Sequence, residues 1–482
     1  MLSVIATALH VVVAAACVIH VLRARKRPSA TILWILTITY LPWIGPLIYL
    51  IFGVNRVRRR IERRQTALRT LAPRIQELRH PPGSPVTEAD HPAFTGACPD
   101  VFREFFRLLD SLTGVGALAG NRCELMHGGE RVFGSMNEAI ASARHSVHML
   151  TYILDDDAAG RPLLEQMSER AAAGVQVRVL VDGYGSNMLP PQRVRGYRRK
   201  GVDLRIQRQF QPLRGRIAIN LRNHRKLLIV DGRLAFTGGM NISARHLLEQ
   251  PPRKQVLDYH TRVEGPAVAQ LQRVFAEDWF DVTSEPVLDP AAFPAIKPVG
   301  TDVVRAIDSG PDRSIRAMLK AFCAAVQTAS RSIRVVTPYF VPDPALVILL
   351  QLAAMGGVDT RIVLPRDNNF RTVKYAARHL YPDLMRAGVR IFEREAPFSH
   401  AKLLLVDDTW ASVGSANWDM RTFHLQFDTN IGVVSPAFVG QIAAAVEEEM
   451  AASTEITREK FLPRPALRGI LETAASLFSD LL

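Results

Sequence analysis

Cysteine is scarce: four residues in 482, at positions 17, 98, 123 and 323. They show no paired spacing and no grouping with histidine, which excludes a disulfide-stapled scaffold and offers no structural zinc site. Lysine is scarce too, at 9 residues against 51 arginines, so any lysine that recurs at fixed spacing carries information. Acidic side chains fall short of basic ones, 46 against 60, leaving a formal charge of +14. That surplus favours phosphate-bearing partners, nucleic acid or anionic lipid headgroups, without choosing between them. What the chain has is apolar mass. At 48% hydrophobic it can bury at least two domain-sized cores, which excludes a disordered tail.

Two apolar runs open the chain. Leu2 to Leu22 is long enough as a helix to cross a hydrocarbon core of about 30 Å. It lacks the positively charged leader of a secretory signal, and the basic cluster follows Ala14-Ala15-Ala16-Cys17, so an uncleaved anchor is expected. The second run, Ala30 to Val54, contains Trp34, Tyr40, Trp43 and Tyr49 with Pro42, Gly45 and Pro46. This composition fits a kinked spanning helix or a re-entrant hairpin. Basic clusters flank it, Arg23 to Arg27 on one side and Arg56 to Arg64 on the other. A re-entrant run would put both on the cytoplasmic face with the soluble part.

Residues 79–92 hold prolines and polar residues that sustain neither helix nor central strand, and read as linker. Beyond it the sequence repeats. Ala143 to Tyr152 recurs in pattern as Ala329 to Tyr339, Gly174 to Val181 as Gly357 to Leu364, and Gly201 to Ile206 as Gly388 to Phe392. Each glycine follows a helix and precedes a buried strand. Alternating helices and strands predict an α/β fold in two copies, the offset being too long for a solenoid. The expected divisions are a membrane hairpin over 1–64, linker and connecting helix over 65–115, domains over 116–295 and 296–450, and an amphipathic tail over 451–482.

Both copies carry His-x-Lys-x4-Asp: His224, Lys226 and Asp231 in the first, His400, Lys402 and Asp407 in the second. With so few lysines, composition does not produce this twice. In an extended strand, residues two apart share a face, so each copy sets an imidazole beside a cation. The lysine can neutralise a phosphate oxygen; the imidazole can attack phosphorus or carry a proton near neutral pH. The motif aspartates begin turns, so a turn-forming or bracing role competes with a reactive one. Seventeen residues after each histidine stands an asparagine, Asn241 after Gly238-Gly239-Met240 and Asn417 after Gly414-Ser415-Ala416. There small residues admit a ligand and an amide can bind phosphate.

These motifs resemble those of the phospholipase D superfamily and, within it, the bacterial cardiolipin synthases. The likeness includes Tyr152 with Asp155 and Asp156, Asp182-Gly183-Tyr184-Gly185-Ser186, Thr337-Pro338-Tyr339 and Asn417-Trp418-Asp419-Met420-Arg421. It implies two tandem domains packed about a pseudo-twofold axis, with both His-Lys pairs in one active site. It also implies phosphatidyl transfer between two phosphatidylglycerol molecules through a phosphohistidine, giving cardiolipin and glycerol. His224 is taken as nucleophile and His400 as acid/base, although the motif fits the reverse equally well. Lys226, Lys402, Asn241 and Asn417 would hold the nonbridging oxygens, and Asp258 and Asp428 match the family's histidine-orienting acids. A hydrolytic phospholipase D, a phosphatidyltransferase for another headgroup or a nuclease of the same fold would use the same residues.

No cofactor is implied, because exchange of like phosphodiesters needs no nucleotide and two cationic cradles give a metal no necessary task. The run Asp155-Asp156-Asp157 reads as a solvated loop, and His145, His148, His260 and His424 as structural. Expected partners are phosphatidylglycerol and other anionic lipids of a bacterial inner membrane, not nucleic acid. Leu467, Ile470, Leu471, Ala474, Leu477, Phe478, Leu481 and Leu482 form a helical stripe that either packs on the domain or meets membrane.

Overall fold

The computed structural model describes residues 2–24, 28–53, 100–207, 210–211, 216–217, 221–251, 254–310, 316–462, 465–477 and 479. The basic residues at 25–27 and 56–64, the linker at 79–92, Cys98, Phe478, Leu481 and Leu482 lie outside the described residues. Two compact units are present, Met1–Arg63 and Arg64–Leu482.

In the first unit, the helix Leu2–Arg23 includes a span, Val4–Arg23, that is long and apolar enough to cross a membrane. The second run does not continue as one helix. Pro28–Tyr40 supplies 13 residues, about 20 Å at the helical rise and short of a hydrocarbon core. Pro42 then removes a backbone donor, and Trp43 sits at φ 63°, so the chain turns. The helix Ile44–Ile48 and the π-helical turn Tyr49–Gly53 run back along the first arm. Gly45 makes that return possible, because a Cβ there would meet the Thr37 carbonyl oxygen at 2.0 Å. The Tyr49 ring lies 5.3 Å from that of Trp34, and its hydroxyl is 2.6 Å from His20 Nδ1. The second run is thus broken into two arms at Pro42 and Trp43.

The second unit is built on one large sheet. From one edge its strands are Asp203–Gln207, Gln176–Asp182, Ser146–Thr151, Leu227–Val230, Leu234–Gly238, Tyr259–Glu264 and Leu118–His127. The order then continues through Asp302–Ser309, Gln426–Val434, Trp410–Gly414, Leu403–Val406, Ser332–Val336, Asp359–Pro365, Arg390–Arg394 and Ser453–Ile456. The two halves repeat one order about the antiparallel seam between Leu118–His127 and Asp302–Ser309, and the last strand is an addition to the second half. This is the tandem, pseudo-twofold α/β arrangement. The repeated glycines end helices in matched left-handed conformations: Gly174 and Gly357 at φ 89° and 92°, Gly201 and Gly388 at 93° and 99°. Only glycine adopts these without a Cβ penalty.

Around the sheet, the buried helix Val268–Thr283 packs on the first half. The helix Asp100–Thr113 drives Phe102, Phe105, Phe106 and Leu109 into the core of the second. The described members of the carboxyl-terminal stripe, Leu467, Ile470, Leu471, Ala474 and Leu477, are exposed, while Ala475 beside them packs with Val341, Val373 and Ala376.

Candidate active site

Each His-Lys pair lies on an extended segment between a two-residue strand and a core strand. Arg222–Asn223 precedes His224 and runs parallel to Gln426–Phe427. Phe398–Ser399 precedes His400 and runs parallel to Val256–Leu257. The residue before each histidine therefore pairs with the residue before the opposite half's Asp258 or Asp428. The His224 amide donates to the Phe427 carbonyl at 2.9 Å and the His400 amide to that of Leu257 at 2.7 Å.

This register exchanges the carboxylates between halves. His224 Nδ1 stands 3.0 Å from Asp428 Oδ1 and 3.1 Å from the Ser415 carbonyl oxygen. His400 Nδ1 stands 2.7 Å from Asp258 Oδ2. A proton on Nδ1 donated to carboxylate leaves the Nε2 lone pair of each ring free. Gly239 gives the Asp258 carboxylate its space: a Cβ there would lie 2.2 Å from Oδ1. Gly239 thus makes room for the Asp258 carboxylate, where the sequence suggested room for a ligand.

Lys226 and Lys402 are buried beside their histidines. Lys226 Nζ donates to the His224 carbonyl at 2.6 Å, and Lys402 Nζ lies 3.0 Å from His400 Nδ1. The four side chains share one electrostatic environment. Burial, then the charge of Lys226, press the His224 pKa down to about 4 despite Asp428. Burial, Lys402, Lys226 and His224 together hold His400 well below the ordinary imidazole value. Burial and Lys402 lower Lys226 to about 7, and burial lowers Lys402 to about 8 against the pull of Asp258 and Asp428. A site that resists cations in this way favours an anion, whose charge would raise the pKa of both lysines.

Asn241 and Asn417 are buried, each with an Oδ1 that has no hydrogen-bond partner among the described residues. Aromatic rings complete the pocket. Tyr152 meets the His224 ring edge-on at 5.0 Å, and Tyr339 meets that of His400 at 6.0 Å.

Asp231 and Asp407, grouped with the reactive residues on motif spacing, are placed elsewhere. Asp231 accepts the backbone amides of Arg144, His145 and Ser146 at 2.7–2.9 Å. Asp407 accepts those of Ser330, Arg331 and Ser332 at 2.7–2.8 Å. Both sit at positive φ at the far end of the strand from the histidine, as braces between turn and strand. In the acid run, Asp156 pairs with Arg161 and Arg193, and Asp157 accepts the Ala159 and Ala244 amides. One residue that motif reading passed over is Arg225, between His224 and Lys226. It is buried and pairs with Asp278 at 2.7 Å and Asp308 at 3.7 Å, the latter across the seam. Its counterpart is Ala401, so the repeat gives no signal for it.

A sheet doubled about a seam, with imidazole and ammonium groups from both halves in one buried site, defines a phospholipase D-type fold. The family model described as cardiolipin synthase, PLD-like domain, matches residues 136–279 and 322–451. A second, described as phospholipase D-nuclease N-terminal, matches 12–53. Cardiolipin synthase A of Pseudomonas aeruginosa is 36% identical over 442 residues, covering 92% of this chain and 88% of that protein. Cardiolipin synthase 2 of Bacillus anthracis is 32% identical over 472 residues, covering 97% and 89%. Among solved structures, phosphatidylserine synthase of Haemophilus influenzae superposes with a TM-score of 0.59 at 14% identity, over 79% of this chain and all of that one. The chain belongs to the phospholipase D-type cardiolipin synthases, and is an enzyme of the phosphatidyltransferase class.

Proposed function

We propose that the enzyme transfers a phosphatidyl group from one phosphatidylglycerol to the primary hydroxyl of another, releasing glycerol and forming cardiolipin. The observation that carries this reading is the pair of histidines, each oriented by a carboxylate of the opposite half and flanked by a buried lysine. His224 attacks phosphorus through Nε2; the P–O bond to glycerol breaks, and His400 gives the departing oxygen a proton. In the second half-reaction His400 removes the proton of the incoming hydroxyl, whose oxygen displaces His224. His400 takes the proton-transfer role because its carboxylate is the closer, at 2.7 Å against 3.0 Å, and a bound phosphate, by neutralising Lys226 and Lys402, removes the charges that keep its imidazolium unfavourable. Lys226, Lys402 and the amides of Asn241 and Asn417 neutralise the equatorial oxygens.

The hairpin supports a topology in which Leu2–Arg23 spans the bilayer and the second run dips in and returns. The chain then leaves the membrane on the Arg23 side, which the arginine clusters mark as cytoplasmic. The test is reconstitution in phosphatidylglycerol vesicles, following cardiolipin, phosphatidic acid and glycerol, with His224→Ala and His400→Ala alongside. Cardiolipin with stoichiometric glycerol is expected from the native chain and neither from the variants. Phosphatidic acid as sole product would make the enzyme a hydrolase. Acid-quench mass spectrometry should place phosphate on His224.

A further inference from the structure

The pseudo-twofold symmetry breaks at one end of the site. Two residues before His224 stands Arg222, and two before His400 stands Phe398. Arg222 is 7% exposed, and its Nε is buried without a hydrogen-bond partner among the described residues. Its guanidinium lies 3.9 Å over the exposed Tyr184 ring and donates to its neighbour's carbonyl, that of Leu221, at 2.9 Å. Arg222 is in register with Gln426, directly after the short helix Met420–His424, which carries Arg421. The Arg421 Nε is likewise buried and unpartnered. Among the described residues no carboxylate comes within ion-pairing distance of either guanidinium. Both lower the pKa of Tyr152, which burial and Asp182 push up to about 12, and Tyr152 stacks edge-on against His224.

The arrangement is built. Asp182 accepts the amides of Tyr184 and Gly185 with one oxygen and that of Asn223 with the other, at 2.9, 3.1 and 3.0 Å. One carboxylate thus ties the Tyr184 loop to the strand that carries Arg222. The opposite end has nothing equivalent: Phe398 replaces Arg222, and the counterpart of Arg421 is Arg245, exposed and acting on Asp155.

Asp182 feels the charge of Arg222 and Asp419 that of Arg421, but neither carboxylate pairs with its guanidinium, and a guanidinium so held is costly unless an anion joins it; planar guanidinium matches phosphate. The reacting phosphate already has two lysines and two asparagine amides. Transfer between two phosphatidylglycerols brings one further phosphate, the acceptor's own, which keeps its charge throughout. Because the attacking hydroxyl belongs to the acceptor's headgroup glycerol, this second phosphate lies one glycerol away from the first, and Arg222 and Arg421 both act on Tyr152, which packs on His224. We propose that Arg222 and Arg421 form a subsite for the nonreacting phosphate of the acceptor lipid, selecting an anionic phospholipid over water or a neutral alcohol. This inference rests on the function proposed above.

The test uses the full chain in phosphatidylglycerol vesicles with 1-butanol present, so that cardiolipin and phosphatidylbutanol form in competition from one phosphoenzyme. Arg222→Gln and Arg421→Gln should each lower the ratio of cardiolipin to phosphatidylbutanol by about tenfold, the worth of one charge-assisted phosphate contact. Arg222→Lys and Arg421→Lys, which keep the charge, should restore part of the ratio. An unchanged ratio overturns the proposal, whether both products persist or both fall; melting temperatures identify a fall caused by misfolding, and the lysine variants then decide. If the native chain makes phosphatidylbutanol without cardiolipin, the proposed function itself fails, a result separable from either outcome in the variants.

Discussion

His224 takes its carboxylate from across the seam: its Nδ1 lies 3.0 Å from Asp428, 204 residues further along the chain. His400 and Asp258 repeat the relationship in reverse at 2.7 Å. Each half therefore holds one imidazole and the acid that meets the other.

Asp428→Asn and Asp258→Asn should each keep the fold and lower kcat by about two orders of magnitude, because an amide can present either donor or acceptor and no longer fixes the tautomer. Initial rates of cardiolipin formation, beside a native circular dichroism spectrum, check this. A rate within a factor of about two of native would deny the acids an orienting role.

The pH profile of kcat/KM should be limited on both sides. His224 attacks only as neutral imidazole, so activity is lost as pH falls through its value of about 4. On the alkaline side, Lys226 at about 7 and Lys402 at about 8 lose their protons in the empty site, and anion capture weakens. A bound phosphate holds both lysines protonated, so kcat alone should persist to higher pH. A kcat/KM that climbs steadily through this range would contradict the lysine values.

Lys226→Met should abolish transfer yet raise the melting temperature by a few degrees. The folded lysine pKa lies below its ordinary 10.5, so the fold disfavours the ammonium. That penalty is complete below about 7 and disappears as pH rises towards 10.5. The gain from methionine should therefore be largest at neutral pH and close in alkali, as thermal melts across that range would reveal.

Asp407→Ala removes three backbone acceptor contacts and should destabilise the second half by about 2 kcal/mol. Per folded molecule, turnover should change little. Burial opposes ionisation of Asp407, but the Ser332, Ser330 and Arg331 amides prevail and hold its pKa below 3.8. Its stabilising contribution is thus present above 3.8 and lost as pH falls through the depressed value. Denaturant melts at neutral and acid pH test both statements.

Lys26→Cys and Arg58→Cys, in a chain otherwise free of cysteine, should react with an impermeant maleimide from the same side of the membrane. Labelling from opposite sides would mean that the second run spans. Gly45→Leu, which drives a side chain into Thr37, should weaken the hairpin and scramble the pattern.

Much of this was legible in the sequence because strand alternation forces it. His224 and Lys226 share a face by spacing alone, and the Gly174/Gly357 and Gly201/Gly388 pairs announced helix ends that the φ angles bear out. Spacing cannot separate a carboxylate aimed at the reaction from one turned back onto its own backbone, so for Asp231 and Asp407 it leaves both roles open, and the amide contacts show bracing. The exchange of Asp258 and Asp428 depends on contacts between segments more than a hundred residues apart, which no local pattern encodes. Arg225 escaped notice because its ion pairs lie on a helix and a seam strand outside the repeated motif.

The exchanged acids also bear on ancestry. A polypeptide with a single copy would carry an imidazole and a carboxylate unable to serve each other, and would act only on meeting its twin. Fusion of the copies replaces that encounter with a permanent neighbour at fixed effective concentration. It also frees each copy to diverge, as Arg225 opposite Ala401 and Arg222 opposite Phe398 record.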